Sequence, residues 1–271
     1  MSRFRWLEFE PPKKGSDDSS LEKLPSGAFP SEVAGVDLTD AAQVLRLADE
    51  FYRKLEYEKA LRYFSKALSL DPNLEDAWFG QLLCLLDLGE TPEALTWAIK
   101  ANKIFSKSSN IISSRALALA RGGNLVDAMA FSDGAMKSDS VSWFPWLARG
   151  EILALSGASN AEFCMMKARE LSPKDWLVSF KVAQSYSNSP LYEKAIPIFQ
   201  KVLAQKPDVP EIYFEVGKVQ KKLGLIDSAV ESFQRAIKLA PNEKKYSDAY
   251  LDALNSGFIP KVVGWFRKIF K

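Results

Sequence analysis

Between residues 41 and 243 apolar residues recur every third or fourth position in short runs, and the runs are cut at regular intervals. From Asp76 to Leu88 the spacing is helical; Gly89 then interrupts it, and Thr91-Pro92 restarts it with a capping hydroxyl and a first-turn proline. Gly123, Gly157 and Gly224 stand at the same break elsewhere. The pattern predicts helices in pairs, joined by tight turns.

Those pairs repeat. Small residues line up as Ala60, Ala94, Ala128, Ala161, Ala195 and Ala229, at gaps of 34, 34, 33, 34 and 34. A second column runs Ala67, Ala101, Ala135, Ala168, Val202, Ala236, and a third Ala48, Leu82, Ala116, Gly150, Ala183, Gly217. Pro72, Pro173, Pro207 and Pro241 close four of the six units, with Ser106 and Ser140 in the other two. Small columns are what closely packed helices need at their contacts, and Phe64, Phe199 and Phe233 are placed to fill the space between units. The one missing residue falls between Gly150 and Ala161, in the turn around Gly157–Asn160, where a loop absorbs it.

With these columns the chain resembles the tetratricopeptide repeat (TPR) family. The sixth unit carries its signature as Tyr213, Val216, Gly217, Gly224, Ala229, Phe233, Ala236 and Pro241, and the first and fifth are similarly close. The third and fourth depart from it, with Ser132 and Met165 replacing the aromatic and Ser140 the proline. The resemblance implies an all-α, TPR-type α-solenoid, a right-handed superhelix with a concave groove that holds other proteins. Its units would be 41–74, 75–108, 109–142, 143–175, 176–209 and 210–243, followed by a cap helix over 244–256, since solenoid ends need covering. Residues 1–40 read as a flexible leader, 41–257 as the solenoid, and 258–271 as a separate helix begun at Pro260 after a stop at Gly257.

In the family the first helix of each unit lines the groove. The inward residues here are Leu45, Asp49 and Tyr52; Phe79, Leu83 and Leu86; Ser113 and Leu117; Leu147 and Glu151; Phe180 and Gln184; Phe214 and Lys218. The family's chaperone-tail receptors carry Lys and Asn there to grip a carboxylate, whereas this chain begins with Leu45 and Asp49. The apolar members predict capture of an apolar helix or extended segment of a partner protein, and the polar members would set its register. Packing between neighbouring helices is the competing role for each.

Two further stretches stand out. Phe4, Trp6, Leu7 and Phe9 form an aromatic cluster in a leader otherwise rich in Pro, Gly, Ser and charge. Such a cluster predicts docking onto protein, either this chain or a partner. Wound as a helix, the end of the chain puts Ile259, Val262, Val263, Trp265, Phe266, Ile269 and Phe270 on one arc, and Lys261, Arg267, Lys268 and Lys271 on the other. That pattern fits an anionic membrane interface, a partner's groove, or the last unit of this chain.

Composition narrows the function. There are 36 Lys+Arg against 34 Asp+Glu, a balance without the basic excess of a nucleic-acid binder. Histidine is absent, which removes His-based triads and His-ligated metals. Cys84 and Cys164 lie far apart in apolar runs and read as core thiols of a reduced, cytoplasmic setting, with peripheral membrane attachment through the tail as the variant. No phosphate loop, dinucleotide fingerprint or cofactor motif occurs. The expectation is a non-enzymatic scaffold or adaptor without a cofactor. Pro197, inside the fifth unit's second helix, should either bend that helix or mark a late start.

Overall fold

The computed structural model describes residues 36–138 and 141–269, with 257–269 by backbone course only. The described helices divide between two compact units, one up to Val141 and one from Ser142. The first holds α1 (Ala41–Arg53), α2 (Tyr57–Leu70), α3 (Glu75–Asp87), α4 (Thr91–Ile104), α5 (Ser109–Arg121) and α6 (Leu125–Ala135). The second holds α7 (Trp143–Leu155), α8 (Ala161–Leu171), α9 (Trp176–Ser187), a 3-10 turn (Tyr192–Lys194), α10 (Ala195–Gln205), α11 (Pro210–Lys222), α12 (Ile226–Leu239) and α13 (Lys244–Ile269). These are six helical hairpins followed by one long helix.

Local chemistry sets the helix starts. Asp40 accepts from the Ala42 and Gln43 amides, Ser108 from Ile111, Asn124 from Asp127 and Asp175 from Leu177, each satisfying a donor the helix leaves unpaired. At the hairpin turns Gly89, Gly123, Gly157 and Gly224 have φ of 76°, 90°, 75° and 75°. Leu55 takes that place in the first hairpin at φ 60° and is 5% exposed. The left-handed backbone costs a leucine roughly 1–2 kcal/mol, and burying its side chain returns about 1.5–3 kcal/mol. Burial wins, which is why a leucine is tolerated there.

The small column sits where helices nearly touch. A Cβ on Gly217 would lie 2.6 Å from the Phe233 ring, and one on Gly150 would lie 2.6 Å from Met165. Phe64 also presses on the next hairpin: a Cβ on Gly80 would be 2.2 Å from its ring. At the equivalent positions of the second hairpin the sequence places the large residue on the first helix and the small one on the second, Leu82 and Ala98, both 0% exposed. The closing prolines have a role as well. The Trp78 indole donates to the Pro72 carbonyl at 2.9 Å, and the Tyr213 hydroxyl to that of Pro207 at 3.1 Å.

Three irregularities bear on the sequence reading. The missing residue lies between Gly157 and Ala161, and it costs α8 its first turn: α8 starts at Ala161 itself, whereas α4 starts at Thr91, ahead of Ala94. Pro197 falls in the first turn of α10, which starts late after the 3-10 turn, so its missing amide is one the helix would leave unpaired anyway. The expected stop at Gly257 and restart at Pro260 do not occur, because α13 runs unbroken through both to Ile269. A proline inside a helix removes one donor but leaves the turns on either side bonded, so the helix continues past it.

Candidate functional site

The inward positions of the first helices differ widely in depth. In the first unit Leu45 and Phe79 are half-buried and Asp49 is exposed, whereas Tyr52, Leu83, Leu86, Ser113 and Leu117 are all buried. In the second unit Phe214 and Lys218 are half-buried, and Leu147, Glu151, Phe180 and Gln184 are buried. Phe180, expected as a groove anchor, is 0% exposed and meets Phe199 edge-on at 5.8 Å between centroids. The helical period identified its face, and the incoming Phe199 ring then closed over it. Phe180 is a core residue. The reachable set is therefore Leu45, Asp49 and Phe79 in one unit and Phe214 with Lys218 in the other.

Two of the buried polar members, Tyr52 and Glu151, are tied to neighbouring hairpins about one repeat away, and other side chains bond at the same interval. Tyr52 Oη donates to Asp87 at 2.7 Å, Arg121 Nη1 to the Leu86 carbonyl at 2.7 Å, and Ser185 Oγ to Glu151 at 2.7 Å. The Lys222 ammonium reaches the Ser187 carbonyl. At the end of the second unit Lys245 Nζ and Tyr246 Oη both donate to Glu211, at 2.6 and 2.9 Å. Each donor and acceptor in this ladder is satisfied across a hairpin boundary, so burial costs little and the register between hairpins is held. The sequence carried a signal for it, complementary residues 34 or 35 positions apart, which an inspection of single columns overlooks.

Electrostatics mark the rims. Asp49 keeps an open edge to water, yet the surrounding protein and Asp76 push its carboxyl up to about 6, with Arg53 opposing. Burial raises the Glu211 carboxyl, which the Lys245 ammonium counteracts and Glu215 reinforces. Burial and Lys218 lower Lys222, while Glu215 holds it up. Lys218 itself lies 2.9 Å from Glu215. Burial pushes the Cys164 thiol up, and both cysteines are buried and unbridged, as expected of core thiols.

Because the folded state holds a proton on Asp49 more tightly than an unfolded chain does, this group favours folding at low pH. That contribution is present below about 4 and is lost as pH rises through about 6. Asp49→Asn should therefore melt at a higher temperature than the parent at pH 7.5 and together with it at pH 3.5. Equal shifts at both values would show that the carboxyl is not strained.

Phe4, Trp6, Leu7 and Phe9 lie outside the described residues. Of the tail positions, 259–269 lie on the helical backbone of α13, and Phe270 and Lys271 lie outside the described range. Among the described residues no helix is long and apolar enough to cross a membrane, and no group of three His, Cys, Asp or Glu is placed to hold a metal.

Stacked helical hairpins with small-residue contacts, an αL turn and a polar ladder between hairpins define an all-α repeat protein. The chain is a tetratricopeptide repeat protein: residues 45–109 and 210–243 each match a family described by that name. A 90-residue stretch is 29% identical to anaphase-promoting complex subunit 3 of Dictyostelium discoideum, over 33% of this chain and 9% of that protein. A 45-residue stretch is 49% identical to an uncharacterised protein of Methanocaldococcus jannaschii, over 17% and 52% of the two. The chain thus spans well under two thirds of these relatives' lengths. Among solved structures, a TPR protein from Parabacteroides merdae superposes with TM-score 0.52 at 18% identity, covering 79% of this chain and 84% of that one. The APC/C hetero-tetramer Cut9–Hcn1 superposes with TM-score 0.51 at 18% identity, covering 80% of this chain and 43% of the other. Likeness at this identity concerns the fold.

Proposed function

We propose that the protein is a non-enzymatic scaffold whose first helices hold a partner protein segment that is apolar and carries a basic residue. The observation behind this is the rim of the first unit. Leu45 and Phe79 stay partly open there, beside an Asp49 carboxyl that its own surroundings disfavour as an anion. A cation from a partner relieves that strain, and the two apolar side chains lose their remaining water. TPR proteins in general mediate protein–protein binding, and the similar proteins named above include subunits of an assembly, which supports the class of function without naming a partner.

The test begins with the intact chain, whose partner is captured, identified by mass spectrometry and purified. Phe79→Ala should then weaken the complex by ~1–3 kcal/mol, the range for a buried aromatic anchor, and lower the melting temperature of the free protein less than Phe180→Ala does. Phe180→Ala should act mainly on stability, since that ring is core. An affinity indifferent to Phe79→Ala and to Asp49→Asn would remove this face from the mechanism.

A further inference from the structure

In the second unit, where α8 and α10 both pack against α9, a cleft of about 360 Å³ opens among Arg169, Tyr186, Lys194 and Lys201. Two irregular hairpins border it. α8 lacks its first turn, and α10 begins only after a 3-10 turn. Two neighbouring second helices are therefore short at the same end.

The side chains around the cleft are unbalanced. Arg169, Lys194 and Lys201 bring three positive charges, and Glu162 is the one carboxylate in the lining. Lys194 is already paired with Glu162. The Arg169 Nε is buried and has no hydrogen-bond partner among the described residues, and Nη1 approaches only the Met166 sulfur, at 4.0 Å. A thioether is a weak acceptor, so a buried guanidinium donor is left without the oxygen it needs. The Lys194–Glu162 pairing leaves the lining no second carboxylate for Lys201. The net charge of the lining is +2. Tyr186 is 1% exposed. Burial and Glu162 push its hydroxyl up to about 12, with Arg169 opposing, so it remains an O–H donor at neutral pH. Met166 and Ile198 complete the wall with apolar surface.

We propose that this cleft binds a phosphoryl dianion, with Arg169, Lys201 and the Tyr186 hydroxyl as its donors. A phosphomonoester carries about −1.5 to −2 charges near pH 7, which matches the lining. A planar guanidinium pairs with two phosphate oxygens at once, and such charge-assisted bonds are stronger than neutral ones. Its cationic donors lie on the second helices α8 and α10 and Tyr186 on α9, and it shares no residue with the face proposed above.

The intact protein is titrated by calorimetry at pH 7.5 and constant ionic strength with inorganic phosphate, with a short phosphoserine peptide, with its unphosphorylated twin, and with chloride as the control anion. Phosphate and the phosphopeptide should bind, and chloride and the unphosphorylated peptide should not. Arg169→Met and Lys201→Met should each weaken binding at least tenfold, while Lys238→Met on α12 should leave it unchanged. Lys201 is exposed, so its variant keeps the test informative should Arg169→Met melt early. A phosphopeptide bound more tightly than inorganic phosphate supports the site with a protein-borne phosphoryl group as its ligand, and equal affinities support it with the free anion. Binding that is absent from the parent, or retained by both cleft variants, overturns the proposal.

Discussion

Phe233→Ala is expected to destabilise the second unit by about 3–5 kcal/mol, the range for emptying a buried aromatic site. Phe233 is 1% exposed, lies 5.9 Å from the Phe214 ring and packs into the space left by Gly217. Gly217→Leu should cost about 1–3 kcal/mol by overpacking, partly offset by the better helix propensity of leucine. The informative variant is the double one. Gly217→Leu with Phe233→Ala gives this hairpin the same large and small residues that the second hairpin carries at the equivalent positions, Leu82 and Ala98. The two changes should then offset each other by on the order of 2 kcal/mol, as expected of residues sharing one space. Urea denaturation of the parent, both single variants and the double variant checks this. A double variant that loses the full sum would show that the small column is not a volume-matching device.

How much could be read in the sequence follows from what periodicity measures. A repeating small residue reports where two helices approach, and the columns at Ala60 and Gly217 predicted such contacts correctly. A glycine at the same break predicted the turn, and the 33-residue interval located the shortened hairpin to the right loop. Periodicity reports a face and not its depth. Phe180 and Phe79 occupy the same register, yet Phe180 is covered by Phe199 and Phe79 is half-open, a difference decided by side chains arriving from other helices. Leu55 at an αL turn was illegible for a similar reason, since its strain is offset only by the site its side chain fills. The second-unit cleft could not be anticipated at all. It brings together side chains of α8, α9 and α10 that no single column connects, and Pro197 alone left open whether α10 would bend or begin late.

The base of α13 should prove indispensable. Ending the chain after Glu243 removes Tyr246, Ala253 and the partly buried Ala249 and Tyr250, which pack with Phe214, Ala229 and Phe233. It also removes both donors to Glu211. Exposing two or three large side chains forfeits roughly 3–9 kcal/mol, at about 1.5–3 kcal/mol each. Against a typical total of about 5–15 kcal/mol, that is enough to leave the last hairpin frayed and sticky. Ending the chain after Ser256 instead keeps every one of these contacts, and its melting temperature should stay close to that of the parent. Glu211→Gln in the full chain should stay close to the parent: the amide still accepts from Tyr246, and the lost Lys245 pair is offset by removing a carboxylate that burial disfavours as an anion. Circular-dichroism melts with light scattering would rank the three. If the chain ending at Glu243 were as stable and as unaggregated as the one ending at Ser256, α13 would not be a cap, and the last hairpin would have to be stable on its own packing alone.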